Sequence, residues 1–365
     1  MSPFSVSRVS PYWFAKLAVV TATAVVILFA AATANAVVDG CSAADFKLAR
    51  TFEASTNGGF PAASYAVADF DGDGKADLAE TDSGAGTVIV MLNDGTGRPV
   101  VSKAYGTGGG AGMVRAADLN GDGHPDLIVA NTQSSVAILL NLGSGLFSAA
   151  VSFPVAIDPV GIAVADFNGD GKADIVIGAD SSGDGRLSIL LGNGSGSFTT
   201  APNSPILIGG QVSEVAAADF NSDGKQDVVV ANFSSGYSLL LGDGTGRFGT
   251  ATKISPNGGG AVATGDLNGD GKADVAMGTF NGLGVLLGNG SGGFSSPVFT
   301  AHEGGSLLRS VVIADIDGDG KLDVAAAGDS PGGIGYFKGD GNGGFTVKPN
   351  YLSGKSGNAI ALGDY

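Results

Sequence analysis

A nine-residue acidic segment recurs six times along this chain, and its regular spacing limits the possible folds more than any other feature. Each copy reads Asp-x-Asp/Asn-x-Asp-Gly-x-x-Asp. Successive copies begin 49, 48, 53, 47 and 49 residues apart, and the first residues of the copies are Asp69, Asp118, Asp166, Asp219, Asp266 and Asp315. A period of about 20–50 residues is typical of a fold in which one supersecondary unit packs against copies of itself.

Each repeat contains four short apolar runs separated by glycine-rich turns. In the third repeat these runs are residues 161–165, 175–178 and 187–191 and a stretch that begins at Phe198. Runs of about four to six apolar or β-branched residues have the length of strands rather than helices. Glycine, at 63 of 365 residues, supplies the positive φ of tight hairpins. The pattern predicts an all-β fold, a β-propeller of four-stranded blades with six complete repeats and an incomplete seventh.

The acidic segments have the chemistry of a cation site. Oxygen ligands at alternate positions of a curled loop suit calcium, which takes about 6–8 oxygens. Positions one, three, five and nine are predicted to supply side-chain oxygens and position seven only its backbone carbonyl, so the imidazole of His124 is expected to face solvent. We predict about one Ca²⁺ for each complete repeat. The candidate ligands are Asp69, Asp71, Asp73, Lys75 and Asp77; Asp118, Asn120, Asp122, His124 and Asp126; Asp166, Asn168, Asp170, Lys172 and Asp174; Asp219, Asn221, Asp223, Lys225 and Asp227; Asp266, Asn268, Asp270, Lys272 and Asp274; and Asp315, Asp317, Asp319, Lys321 and Asp323.

The charge balance agrees with this interpretation. Twenty of the 35 acidic residues are loop aspartates, and the formal net charge is −16. Neighbouring carboxylates repel each other without a cation, and a chain of this sign is not expected to bind nucleic acid. One Cys and two His argue against zinc and thiol chemistry.

An EF-hand is the obvious alternative for one loop. Glu80 stands at the twelfth position of the first segment, where an EF-hand carries its bidentate Glu. The other five segments have apolar residues there, which predicts a strand instead, and Glu80 is interpreted as coincidental. The five are Val129, Ile177, Val230, Met277 and Ala326.

Residues 67–74, Val-Ala-Asp-Phe-Asp-Gly-Asp-Gly, together with the later Gly-x-Gly-x-Phe turns, resemble the FG-GAP/VCBS repeat family, which is similar to the propeller of integrin α-subunits. The resemblance covers about residues 46–365. It implies a seven-bladed propeller with calcium in the loop between the first two strands of a blade. The chain departs from the family pattern in the Asn at position three of four loops and in Ser222 at position four of the fourth loop.

The two ends of the chain raise separate questions. Residues 1–36 have a basic start, an apolar run over 17–34 and the sequence Ala-Asn-Ala, which favours a signal peptide cleaved after Ala36; an uncleaved N-terminal anchor is the alternative. Cys41 is a poor lipidation site because Asp39 lies close by.

Within the propeller, 37–365, residues 46–52 resemble a fourth strand and 359–364 a first strand of the seventh blade, whose other two strands are missing. Either the chain is a fragment or the ring is open.

The function favoured by these features is a secreted or surface-exposed scaffold for interaction or adhesion, without catalytic residues. No nucleophile–base pair is recognisable, and His302 is interpreted as an exposed residue between strands. A lectin-like carbohydrate-binding propeller, or a non-catalytic part of a larger secreted enzyme, are the alternatives. The partner is an unknown protein or glycan, and contact with a membrane is expected only through an uncleaved N-terminal segment.

Overall fold

The computed structural model describes residues 64–95, 99–180, 183–302, 307–328, 333–351 and 359–363, together with four strands near the N-terminus. Every regular element in these ranges is a β-strand, so the predicted all-β class is confirmed. Within the same ranges, no helix has the length and apolar character needed to cross a bilayer.

Six successive sheets each have four antiparallel strands in chain order, the hairpin topology of a propeller blade. The first two are β5 (Tyr65–Ala68), β6 (Asp77–Asp82), β7 (Thr87–Asn93) and β8 (Pro99–Gly106), then β9 (Ala111–Ala117), β10 (Asp126–Asn131), β11 (Ser135–Leu139) and β12 (Val151–Pro154). The next two are β13 (Pro159–Ala165), β14 (Asp174–Ala179), β15 (Arg186–Gly192) and β16 (Phe198–Thr200), with β17 (Ile206–Leu207) also on β15, then β18 (Val212–Ala218), β19 (Asp227–Asn232), β20 (Gly236–Leu240) and β21 (Thr252–Ser255). The last two are β22 (Gly259–Gly265), β23 (Asp274–Thr279), β24 (Gly282–Leu286) and β25 (Val298–Thr300), then β26 (Leu308–Ala314), β27 (Asp323–Gly328), β28 (Gly333–Gly339) and β29 (Phe345–Tyr351).

The second strand of each blade lies in the apolar core. All residues of β10, β14, β19, β23 and β27 are buried. These strands read as continuous apolar runs because both faces of an inner propeller strand are covered by the neighbouring blades. Apolar clusters join residues of adjacent blades, for example Val176 of β14 with Val228 of β19.

The first strands of the blades line a common axis. They contact one another in the order β5, β9, β13, β18, β22, β26 and β30 (Ala359–Gly363), and β30 in turn contacts β5. A cavity of about 520 Å³ on this axis is lined by residues from all seven strands. Across it, the Arg115 guanidinium of the second blade pairs with the Glu214 carboxylate of the fourth.

A seventh sheet is built from both ends of the chain. In it β30 pairs with β1 (Lys16–Val20), β1 with β2 (Ala24–Ala30), and β2 with the short strands β3 (Phe46–Lys47) and β4 (Phe52–Glu53). The strands β1 and β2 thus take the places of the second and third strands, which were expected to be missing. A short apolar run suits a strand as well as a leader, and removal of residues 1–36 on export stays a prediction.

Candidate metal-binding loops

Each acidic segment connects the first strand of its blade to the second. In the first blade Asp69 follows β5 directly, and Asp77 at position nine is the first residue of β6. The other five copies have the same placement, since β10, β14, β19, β23 and β27 all begin at position nine. Six equivalent loops therefore lie at the same end of the blades.

The carboxylate at position one organises each loop. In the first loop Oδ1 of Asp69 accepts the N–H groups of Gly72 (2.7 Å) and Asp73 (3.1 Å), and Oδ2 accepts that of Gly74 (2.8 Å). Both glycines have a positive φ, +79° and +82°, which explains the preference for Gly at positions four and six. Ser222 also has a positive φ, 57°, so the fourth loop keeps this turn despite the substitution.

The carboxylate at position nine is buried and ties the loop to the third strand. Oδ2 of Asp174 accepts the N–H of Phe167 at position two (3.0 Å), and Oδ1 accepts that of Gly192 at the end of β15 (2.7 Å). The same pair of bonds recurs in all six blades. Sequence reasoning treated this Asp as a ligand alone and missed its second role, because the motif does not include the third strand.

Positions one, three and nine converge in space. Carboxylate oxygens of Asp69, Asp71 and Asp77 lie within 4.8 Å of one another, and those of Asp315, Asp317 and Asp323 do likewise. The four loops with Asn at position three have the same turn, since the Asn Oδ1 accepts the N–H of position five at 2.9–3.1 Å.

In four of the loops, the carboxylate at position five forms an ion pair with the lysine at position seven. The ammonium at position seven lies 2.6 Å from the carboxylate in the Lys75–Asp73 pair, 3.2 Å in Lys172–Asp170, 3.5 Å in Lys225–Asp223 and 3.0 Å in Lys272–Asp270. The hydrogen bond from Lys75 holds the pKa of Asp73 below its usual value. In the second loop, His124 is half-buried beside Gly143, which lies in the connection between β11 and β12.

The arrangement leaves lone pairs for an ion. A carboxylate has about four acceptor sites; Asp69 uses three on backbone N–H groups, and Asp77 uses two. Three oxygen-bearing side chains on one side of a loop, with exposed glycines open to water, fit a hard cation that takes oxygen from both protein and solvent. The residues at positions one, three and nine would hold calcium here.

Each of the first five loops also packs against the next blade. The position-two side chain is buried against a Phe in the next blade's connection between its third and fourth strands; ring centroids are 5.5 Å apart for Phe70–Phe147, Phe167–Phe248 and Phe220–Phe294. The hairpin glycine donates its N–H to the position-two carbonyl, as Gly246 does to Phe167 at 2.9 Å. Anything that stiffens a loop therefore stiffens the contact between two blades.

Two residues singled out in the sequence have other surroundings. His302 is buried, with its ring 6.2 Å from that of Phe337 and close to Gly335 of β28, so the expectation of an exposed histidine was wrong. Glu80 lies in β6, and strands rather than helices flank its loop, which rules out an EF-hand.

Burial raises the pKa of Glu80 to about 7, with a further contribution from Asp82. Because this pKa lies above the unfolded value, the stabilising effect of the protonated carboxyl is complete below about pH 4.3 and is lost as the pH rises through about 7. We therefore expect Glu80→Gln to raise the melting temperature at pH 8 and leave it nearly unchanged at pH 4.5, measured by circular dichroism in constant calcium. An equal change at both pH values would contradict this role for the ionised carboxylate.

Comparisons with known proteins agree with the repeats and the fold. The model of FG-GAP-like repeats matches residues 69–129, 118–177, 174–230, 219–277, 266–326 and 315–365. Among curated protein sequences, none matches the chain.

Three solved structures are similar in fold. An Agrocybe aegerita lectin, described as recognising non-reducing terminal N-acetylglucosamine, has a TM-score of 0.64 at 22% identity, over 96% of this chain and 95% of the lectin. BBS1N, solved in complex with ARL6DN, has a TM-score of 0.53 at 14% identity, over 81% of this chain and 89% of its own. The Dos1 propeller has a TM-score of 0.53 at 12% identity, over 85% and 73%.

Proposed function

This chain belongs to the FG-GAP-like repeat family. We propose that it is a calcium-binding β-propeller, exported from the cell or held at its surface, that presents a rigid surface to another macromolecule. A propeller fold with a lectin-like neighbour supports an interaction scaffold. Calcium and export are the additional parts of the proposal.

The observation that carries the calcium proposal is the repetition of one geometry. In every blade the same two carboxylates, at positions one and nine, are held in place by backbone N–H groups, and the position-three oxygen faces them where the residue is Asp. An ion in this place would offset the repulsion between the carboxylates. It would also stiffen the joint to the next blade, since position two packs there.

The role proposed is binding rather than catalysis. The two histidines are a loop residue, His124, and a buried core residue, His302. Most acidic side chains belong to the repeated loops, where their hydrogen bonds give them a structural use.

Calcium binding is tested by equilibrium dialysis of the purified protein with elemental analysis of the retained metal. We expect saturable binding in the range of about 10⁻⁴–10⁻³ M that is common for extracellular modules. Protein that retains no divalent ion at saturating calcium would contradict the proposal.

Export is tested separately by N-terminal sequencing of secreted material, which should begin at Val37 if residues 1–36 are removed; an intact Met1 would indicate an anchor.

A second candidate function is carbohydrate binding, which the similarity in fold to the Agrocybe aegerita lectin favours. A glycan array in calcium buffer, with terminal N-acetylglucosamine among its ligands, distinguishes the two. Specific glycan signals that EGTA abolishes would support a lectin, and an array without signals would leave the partner as a protein.

A further inference from the structure

The sixth loop has a neighbour that the other five lack. In each blade, a backbone N–H at the end of the third strand donates a hydrogen bond to the carboxylate at position nine. The residue just before that donor is Leu in five blades and Lys338 in the sixth. The five are Leu92, Leu140, Leu191, Leu241 and Leu287, each of which lies against a hairpin glycine of the next blade. Lys338 instead turns into the acidic loop of its own blade.

The Lys338 ammonium pairs with two of the predicted calcium ligands. It contacts Oδ2 of Asp317 at position three and lies 3.0 Å from Oδ2 of Asp319 at position five. The Asp317 side chain is only 14% exposed, so this ion pair is partly shielded from water. A lysine ammonium thus occupies the side of the loop on which calcium would bind.

A second side chain of β28, that of Tyr336, also engages a predicted calcium ligand of the sixth loop. The Tyr336 hydroxyl donates a hydrogen bond to Oδ2 of Asp323 at position nine (3.0 Å), an oxygen that also accepts the N–H of Ile316. The residues equivalent to Tyr336 in the other blades are apolar and make no such bond: Val90, Ile138, Ile189, Leu239 and Val285. Positions three, five and nine of the sixth loop are therefore all engaged by side chains of β28.

An ammonium and a divalent ion repel each other at contact distance, and the repulsion is stronger at a partly buried site. Calcium could enter this loop only if Lys338 left it. The Asp at position three, which is Asn in the second to fifth loops, gives the ammonium an extra carboxylate to pair with.

We propose that Lys338 takes the place of the divalent ion in the sixth loop, so that the protein binds calcium in five loops only. The proposal rests on the proposed calcium binding of the other loops. It makes the sixth loop independent of calcium, while the shape of the five preceding loops depends on it.

The test counts bound calcium per chain by equilibrium dialysis at saturating calcium. We expect about five ions in the wild type and about six in Lys338→Leu, which restores the residue of the other blades; Lys338→Arg, which keeps the cation, should stay at five. Six ions in the wild type, or no increase in Lys338→Leu, would overturn the proposal and leave the proposed function standing. A wild-type protein without bound calcium would contradict both this proposal and the proposed calcium binding of the other loops.

Two variants in the wild-type background give an independent answer if Lys338→Leu does not fold. Asp166→Asn at position one of the third loop should lower the count by one, whereas Asp315→Asn at the same position of the sixth loop should leave it unchanged. A loss of one ion in Asp315→Asn would overturn the proposal.

Discussion

Removal of calcium with EGTA is expected to lower the melting temperature by roughly 15–25 °C relative to 10 mM calcium. A ligand that binds only the native state stabilises it by RT ln(1+[L]/Kd). With dissociation constants of about 10⁻⁴–10⁻³ M, each site contributes about 1.4–2.7 kcal/mol, and five loops together about 7–14 kcal/mol. For a domain of this size, about 2 °C per kcal/mol is the appropriate conversion.

The measurement is a thermal melt followed by circular dichroism at 218 nm, with magnesium at the same concentration as the control. Magnesium requires near-ideal octahedral geometry and gives up its water reluctantly, so it should recover only a small part of the shift. An identical melting curve in EGTA and in calcium would show that the loops hold their shape through backbone hydrogen bonds alone.

The repeat predicted the blades, and the reason is that each blade is a local unit. Four strands connected by short turns form a hairpin sheet from consecutive residues, so the apolar runs and glycines of one period contain most of the information. The position of the loop between first and second strands is equally local, since Asp69 and Asp77 are eight residues apart and flank one turn.

Contacts between distant parts of the chain could not be predicted from the motif. The motif contains the Asp77 carboxylate, but not the N–H of Asn93 that it accepts, because that pairing depends on the register of β7. The approach of Lys338 to Asp317 depends on the register of β28 in the same way. The ion pair between Asp73 and Lys75 could not be predicted from the motif for another reason: an alternating pattern of acidic residues indicates a common side, but a lysine two residues away competes for one of the carboxylates.

The apolar run near the N-terminus illustrates a different limit. Residues 17–34 have no charged side chain and are apolar except for three threonines, and such a run lacks the alternation that distinguishes a strand from a leader segment. The pairing of β1 with β30 joins residues more than 300 positions apart, which no local pattern encodes.

The variant Asp174→Ala, at position nine of the third loop, is expected to cost about 2–6 kcal/mol of unfolding free energy even without calcium, because an unsatisfied buried N–H costs about 1–3 kcal/mol. It leaves two such groups, those of Phe167 and Gly192, without their acceptor. The matched control is Asp170→Ala at position five of the same loop, whose side chain is 37% exposed and pairs with Lys172 at 3.2 Å. Loss of an exposed ion pair costs at most about 1 kcal/mol.

Urea denaturation of both variants in EGTA and in calcium separates the structural role of position nine from its role as a ligand. In EGTA only Asp174→Ala should be strongly destabilised, since no ion contributes to either protein. In calcium it should lose the stabilisation by one ion in addition, about 1.4–2.7 kcal/mol at 10 mM. Equal stability of the two variants in EGTA would mean that the buried hydrogen bonds of Asp174 add nothing to the fold. Its burial at the start of β14 would then serve the cation alone.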